Sequence, residues 1–285
     1  VAETPTPFGT RVTEAVARHG PLCAGVDPSA DLLARWGLPD DAGGLRSFVD
    51  RCLEAFAGVV PAVKPQVAFF ERHGSAGMAA LEALVAGAAQ ADLLVVADAK
   101  RADIGSTMEA YADAWVGRSS PVAADAVTAV AYLGLGALDP MLDLAAQTGR
   151  GVFVVVRSSN PEGRPVQEAR TADGRGPSVE DALLAGIAAR NVDGVAEASI
   201  GAVVGATMDG SSFAVADLGG PVLAPGVGAQ GASAEDVGRR FGECPAGSVL
   251  PSASRTLLRC GPSAAALAEA AARLRDELAR VLPAP

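Results

Sequence analysis

Short apolar runs recur along this chain, each followed by an Ala-rich segment of helical periodicity. That alternation constrains the fold more than any other feature. Strands are predicted at 22–26, 59–63, 93–97, 126–130, 151–156, 200–205, 222–224 and 248–250. Several are Val-rich with no polar alternation, the pattern of parallel strands covered on both faces. Helices are predicted at 45–57, 76–91, 106–116, 138–147, 179–191, 234–241 and 263–281. Eight strands alternating with helices close into a (β/α)8 barrel or open into a doubly wound sheet. A dinucleotide-binding sheet would carry G-x-G-x-x-G after its first strand. Here the first run leads into Val26-Asp27-Pro28-Ser29 instead. Gly226, Gly228 and Gly231 do have that spacing. They follow a late strand, with no acidic residue at the expected distance, so the segment reads as a tight phosphate-holding turn. At 285 residues the length alone would allow two domains, but no Pro-, Ser- or charge-rich linker divides the chain. The reading is a single-domain (β/α)8 TIM barrel over 1–285.

Composition excludes several function classes. The net charge of −10 argues against a general nucleic-acid or membrane surface, which needs clustered Lys and Arg. It does not argue against one small phosphorylated ligand, which a few local donors can hold. The histidines are His19 and His73 alone, with no H-E-x-x-H, so no His-rich metal site is expected. Cys23, Cys52, Cys244 and Cys260 form no C-x-x-C and are expected to be free thiols in a reducing compartment. The first residues lack the basic and apolar segments of a signal peptide, and no apolar run is long enough to span a bilayer. A cytoplasmic protein is expected.

The residues that close each apolar run carry the chemistry. They are Asp27, Lys64, Asp98 with Lys100, Thr128, Ser158 with Ser159, Thr207, Pro225 with Gly226, and Ser254 with Arg255. In a barrel these strand ends converge on one mouth. Asp98-Ala99-Lys100-Arg101-Ala102-Asp103 puts four charges in six residues just after a Val-rich strand. Asp98 and Lys100, two apart, point the same way in an extended segment. With Lys64 from the preceding strand they predict an alternating chain of Lys64, Asp98, Lys100 and Asp103 that stays ionised and fixes Lys100. Taken alone, such a motif is more often a structural salt-bridge network at a barrel rim. The polar stretch from Ser159 to Ser178 is longer than most loops and reads as a lid or a solvent-exposed excursion.

The segment from Asp98 to Thr107 closely resembles the signature of orotidine 5′-phosphate decarboxylases, in their longer-chain branch. The resemblance covers nearly the whole chain. It extends to Gly25-Val26-Asp27-Pro28, Val63-Lys64-Pro65-Gln66, Ser159-Asn160-Pro161-Glu162-Gly163, the stretch from Ala224 to Gly231, and Ser254-Arg255. It implies a cofactor-free, metal-free decarboxylation of a nucleotide monophosphate. Lys100 would deliver a proton to C6 as carbon dioxide leaves, with Asp98 beside the substrate carboxylate. Lys64 and Asp103 would complete the charge network, Asp27 would bind ribose, and Gln66 falls among the substrate-binding positions. Gln230 and Arg255 would hold the 5′-phosphate near the Pro225-Gly226 turn. Asp103, Ile104 and Thr107 would reach into a partner's site, which implies a homodimer with shared active sites.

Three departures from the family pattern bear on specificity. Ala102 stands where the family has Gly. Val130-Ala131-Tyr132 stands where Ser-Pro-Tyr or Asn-Pro-Tyr is usual, in a region expected to read the polar edge of the base. Arg157 precedes Ser158-Ser159, where a small or apolar residue is more usual. These leave open a modified nucleotide met by Arg157, against simple drift with Arg157 in solvent. Two further readings compete: a Mg2+-dependent sugar-phosphate lyase sharing D-x-K-x-x-D, and a non-catalytic nucleotide-binding barrel.

Overall fold

The computed structural model describes residues 5–170, 174–206, 213–229 and 231–285. Eight parallel strands close into a barrel in sequence order, β1 pairing with β8. They are β1 Cys23–Val26, β2 Ala62–Pro65, β3 Leu94–Arg101, β4 Ala126–Val130, β5 Gly151–Arg157, β6 Ile200–Val204, β7 Val222–Pro225 and β8 Val249–Ala253. The helices of the first half are α1 Phe8–His19, α2 Ala30–Arg35, α3 Ala42–Phe56, α4 Ala68–Glu71, α5 Gly74–Gln90 and α6 Gly105–Val116. Those of the second half are α7 Asp139–Thr148, α8 Arg164–Gln167, α9 Val179–Ala188, α10 Ala234–Phe241, α11 Arg255–Leu258 and α12 Ala264–Ala279. All eight predicted strands and all seven predicted helices are present, β4 and α10 at the predicted bounds and the rest with shifted ends.

The unbroken apolar runs are explained by two separate apolar layers. Outward residues such as Val63, Val95 and Val127 pack under the helices, while Leu94, Val96 and Phe153 fill the barrel interior. Both faces of every strand are therefore buried, so no polar alternation is needed. The shifted ends have local causes. β2 starts three residues late because α3 ends at Phe56 and the chain turns through Gly58 at φ +70°. β3 runs four residues further than expected, carrying Asp98 and Lys100 on the strand itself.

Sequence reasoning missed α1. Its apolar positions Phe8, Val12, Ala15 and Val16 lie on one helical face, and all are buried at the foot of the barrel. Phe8 meets Phe153 edge-on at 5.7 Å between ring centroids. Gly151 makes room for it, since a Cβ there would lie 2.2 Å from the Phe8 ring. Burying Phe8 and Val12 contributes about 1.5–3 kcal/mol each.

The expected excursion between Ser159 and Ser178 contains regular structure among its described residues. It holds a 3-10 turn at Pro161–Gly163, α8, and a bridge from Arg170 to Ser178. No helix among the described residues is long and apolar enough to cross a membrane.

Candidate active site

The strand ends enclose a cavity of about 350 Å3. One wall is formed by Asp27, Lys64, Gln66, Asp98, Lys100 and Thr128. The opposite wall comes from Ser158, Ser159, Asn160 and the turn from Pro225 to Val227, with Ser254 and Arg255 between. Lys64 and Asp98 are 7% and 8% exposed, an unusual burial for charged groups, and each is the other's partner.

Asp98 is the hub. Lys64 Nζ donates to its Oδ2 at 2.9 Å and Gln66 Nε2 to the same oxygen at 3.1 Å. Lys100 Nζ donates to Oδ1 at 2.5 Å and the Thr128 hydroxyl at 2.9 Å. Burial by itself would raise the Asp98 carboxyl. The ammonium groups of Lys64 and Lys100 outweigh it and hold the group well below the usual carboxylate range. Burial opposes the charge on Lys64, but Asp98 and Asp27 overcome it and push Lys64 above the usual lysine range. The Lys64–Asp98 pair is therefore ionised on both sides.

Lys100 adopts a left-handed backbone at φ +48°, one of two non-glycine residues to do so among the described residues. Such a conformation costs about 1–3 kcal/mol and must be held by its surroundings. Thr128 does this. Its Oγ accepts from the Lys100 backbone N–H at 2.9 Å while its own proton goes to Asp98. The sequence placed Thr128 at a strand end but gave no sign of this double role. Ala102 is not left-handed, so its methyl group demands no backbone shift.

The four-membered charge chain is three-membered within this chain. Asp103 lies at the rim, away from the cavity lining, and accepts from the Ile104 backbone N–H at 2.8 Å. Ile104 is 62% exposed and Thr107 is exposed on α6. Arg101 turns away from the mouth, pairs with Glu71, and lies over the rings of Tyr111 and Trp115 at 5.6 and 5.2 Å.

Asp27 accepts from the Ser254 hydroxyl through one carboxylate oxygen, while the other is buried with no partner among the described residues. That oxygen suits a hydroxyl donor from a ligand. Arg255 is exposed beside the cavity and unpaired among the described residues. Gly226 and Gly228 lie in a tight turn, with Gly228 N–H donating to Ala232 O at 2.8 Å and Ala232 N–H to Gly226 O at 3.2 Å. Gly228 packs so closely that a Cβ would lie 2.3 Å from the Thr256 hydroxyl. Gln230 and Thr207 lie outside the described residues.

Two expectations are corrected. Val130 and Ala131 do not line the cavity. Val130 pairs with Val155 along the sheet, and Tyr132 is 81% exposed. Polar lining comes instead from the end of the next strand, through Ser158, Ser159 and Asn160. Arg157 faces neither a ligand nor solvent. It is 2% exposed and paired with Glu180 and Glu168, outside the barrel. The sequence could not show which way a strand-end side chain points where the pairing slips, and β5 and β6 shift register between Val155 and Arg157. The modified-nucleotide reading thereby loses its cation.

A closed parallel barrel with a Lys–Asp–Lys array and a glycine turn at its mouth defines a barrel enzyme for a small anionic ligand. The sequence profile of the orotidine 5′-phosphate decarboxylase / HUMPS family matches residues 20–270. The orotidine 5′-phosphate decarboxylase of Salinispora arenicola is 52% identical over 268 residues, covering 94% of this chain and 95% of that one. That of Streptomyces coelicolor is 49% identical over 272 residues, covering 95% and 97%. A crystal structure from Streptomyces avermitilis superposes with a TM-score of 0.93 at 48% identity, covering 98% and 97%. The OMP decarboxylase of Leishmania donovani superposes at 0.74 with 27% identity, covering 96% and 99%. The chain belongs to the orotidine 5′-phosphate decarboxylase / HUMPS family and is a carboxy-lyase.

Proposed function

We infer that this chain decarboxylates orotidine 5′-monophosphate to uridine 5′-monophosphate in pyrimidine nucleotide biosynthesis, with no metal or organic cofactor. The observation that carries this reading is the buried Lys64–Asp98 pair joined at the cavity by the exposed Lys100 ammonium. The C6–carboxylate bond breaks and its electron pair stays on C6, a carbanion with poor resonance support. The Lys100 ammonium, held in place before reaction, stabilises that charge and then transfers a proton to C6. Solvent restores the proton to the amine. Asp98 lies against the substrate carboxylate, and Lys64, with Gln66, keeps it charged. Asp27 takes a ribose hydroxyl through its unpartnered oxygen. Arg255, with Gln230, holds the 5′-phosphate, whose binding stabilises the closed site at a distance from C6. Ser158 to Asn160 form the wall that remains for the base.

The same reading makes the working unit a homodimer. Asp103, Ile104 and Thr107 stand at the rim where a second copy would receive them. Ile104, Tyr132 and Leu133 are exposed apolar groups following the adjacent strands β3 and β4. Four free thiols suit a reducing cytoplasm. The whole of 1–285 acts as one catalytic domain.

The Mg2+-dependent alternative has less support. Lys64 Nζ sits 2.9 Å from Asp98, where a cation would bind. Among the described residues no three His, Cys, Asp or Glu side chains converge as metal ligands. The test is steady-state turnover of orotidine 5′-monophosphate by the wild type and Lys100→Ala, each with and without a chelator. Loss of about 10²-fold or more in kcat for the variant, with no chelator effect, is expected. Turnover unaffected by Lys100→Ala would overturn the assigned proton donor.

A further inference from the structure

Arg157 has no task in the reaction just described, yet it is the largest fully buried side chain among the described residues. Its guanidinium donates to Glu180, in the first turn of α9, at 2.8 Å. It also donates to Glu168, the residue that follows α8, at 2.5 Å. Glu180 is as buried as Arg157, whereas Glu168 is half-exposed. The next residue of the strand end, Ser158, is held by the preceding residue of that helix end, Gln167. Gln167 Nε2 donates to Ser158 Oγ at 2.8 Å, and Ser158 N–H donates to Gln167 Oε1 at 3.3 Å. Two adjacent residues at the end of β5 are thus matched to two adjacent residues at the end of α8. Gly163 completes the fit, because a Cβ there would lie 2.6 Å from Ser158 Oγ.

Buried ion pairs add little net stability compared with apolar pairs of the same volume. What this ring fixes is geometry, and the residues it fixes are the first of the cavity wall formed by Ser158, Ser159 and Asn160. We propose that Arg157 and Gln167 are positioning residues for the base wall of the site. Arg157 ties α8 and α9 to the end of β5, and Gln167 transmits that tie to Ser158. The polar groups facing the nucleobase are thereby preset rather than ordered on binding. This deepens the reading of the site as nucleotide-binding and rests on it.

The test compares two ligands on the full chain by calorimetry: uridine 5′-monophosphate, and ribose 5-phosphate, which has the same phosphate and sugar but no base. Three variants serve: Gln167→Ala, Arg157→Lys, and the double change Arg157→Met with Glu180→Leu, which removes both buried charges together. Thermal midpoints show that each is folded. Gln167→Ala and the double variant are expected to bind the nucleotide about tenfold more weakly, the scale of one lost hydrogen bond. Their binding of ribose 5-phosphate stays unchanged. Arg157→Lys falls between, since one ammonium cannot reproduce a fork that spans two carboxylates. Equal weakening of both ligands would mean a merely structural role and would overturn the inference, as would unchanged nucleotide binding. A wild type that binds the nucleotide no better than ribose 5-phosphate would bring down the nucleotide reading itself.

Discussion

Thr128→Val is the most discriminating change available at this site. Valine has nearly the volume of threonine, and Thr128 is 1% exposed, so packing is conserved while the hydroxyl is lost. Two hydrogen bonds disappear. One runs to the Asp98 carboxylate at 2.9 Å and the other comes from the Lys100 backbone at the same distance. A hydrogen bond to a charged group contributes about 1.5–3 kcal/mol, and a stranded backbone N–H costs about 1–3 kcal/mol. A total near 3 kcal/mol lowers the thermal midpoint by about 6–10 °C for a domain of this size. The left-handed Lys100 also loses the group that holds it. If about 2 kcal/mol of the loss falls on placing its ammonium against C6, kcat drops about thirtyfold. KM for orotidine 5′-monophosphate changes little, because phosphate and ribose contacts are untouched. The assay is steady-state turnover beside differential scanning calorimetry, with Thr128→Ser as the control that restores the hydroxyl and both quantities. A variant that loses thermal stability but keeps full kcat would refute the idea that Thr128 places Lys100.

Other consequences can be measured directly. Asp98 has a depressed folded pKa, so its contribution to stability is present above its unfolded value near ~3.9 and is lost as pH falls toward the folded one. The stability gap between wild type and Asp98→Asn, followed by thermal unfolding against pH, should narrow below about pH 4; a constant gap would contradict the assignment. Lys64 has the opposite sign: its raised pKa keeps its contribution intact below about pH 10, with loss only in stronger alkali. Arg255→Ala should raise KM about 10–100-fold with a smaller change in kcat, and an unchanged KM would remove it from the phosphate site. Phe8→Ala should cost about 3–5 kcal/mol in chemical denaturation while leaving KM untouched, since Phe8 lies at the foot of the barrel.

The parts of this protein written in local pattern were legible from the sequence. The Val-rich runs gave the strand count, and residues at their ends, Asp27, Lys64, Asp98, Lys100 and Arg255, do meet around one cavity. Features that depend on direction were not legible. Arg157 and Arg101 sit at strand ends like Lys64 and Lys100 but turn outward, because a register slip or an acidic partner takes them there. Val130 is absent from the cavity lining, to which Ser158, Ser159 and Asn160 at the end of the next strand contribute. Helix α1 carries a clear apolar face, but its place under the barrel depends on Gly151, whose missing side chain makes room for Phe8.

That plug of Phe8 against Phe153 gives the barrel a blind end. Among the described residues the cavity opens at the strand ends, so the same doorway serves arrival and departure. Substrate cannot queue behind a departing product or push it through. Turnover is therefore a strict alternation at a single gate. Accumulating uridine 5′-monophosphate is expected to act as a purely competitive brake, overcome by substrate concentration alone.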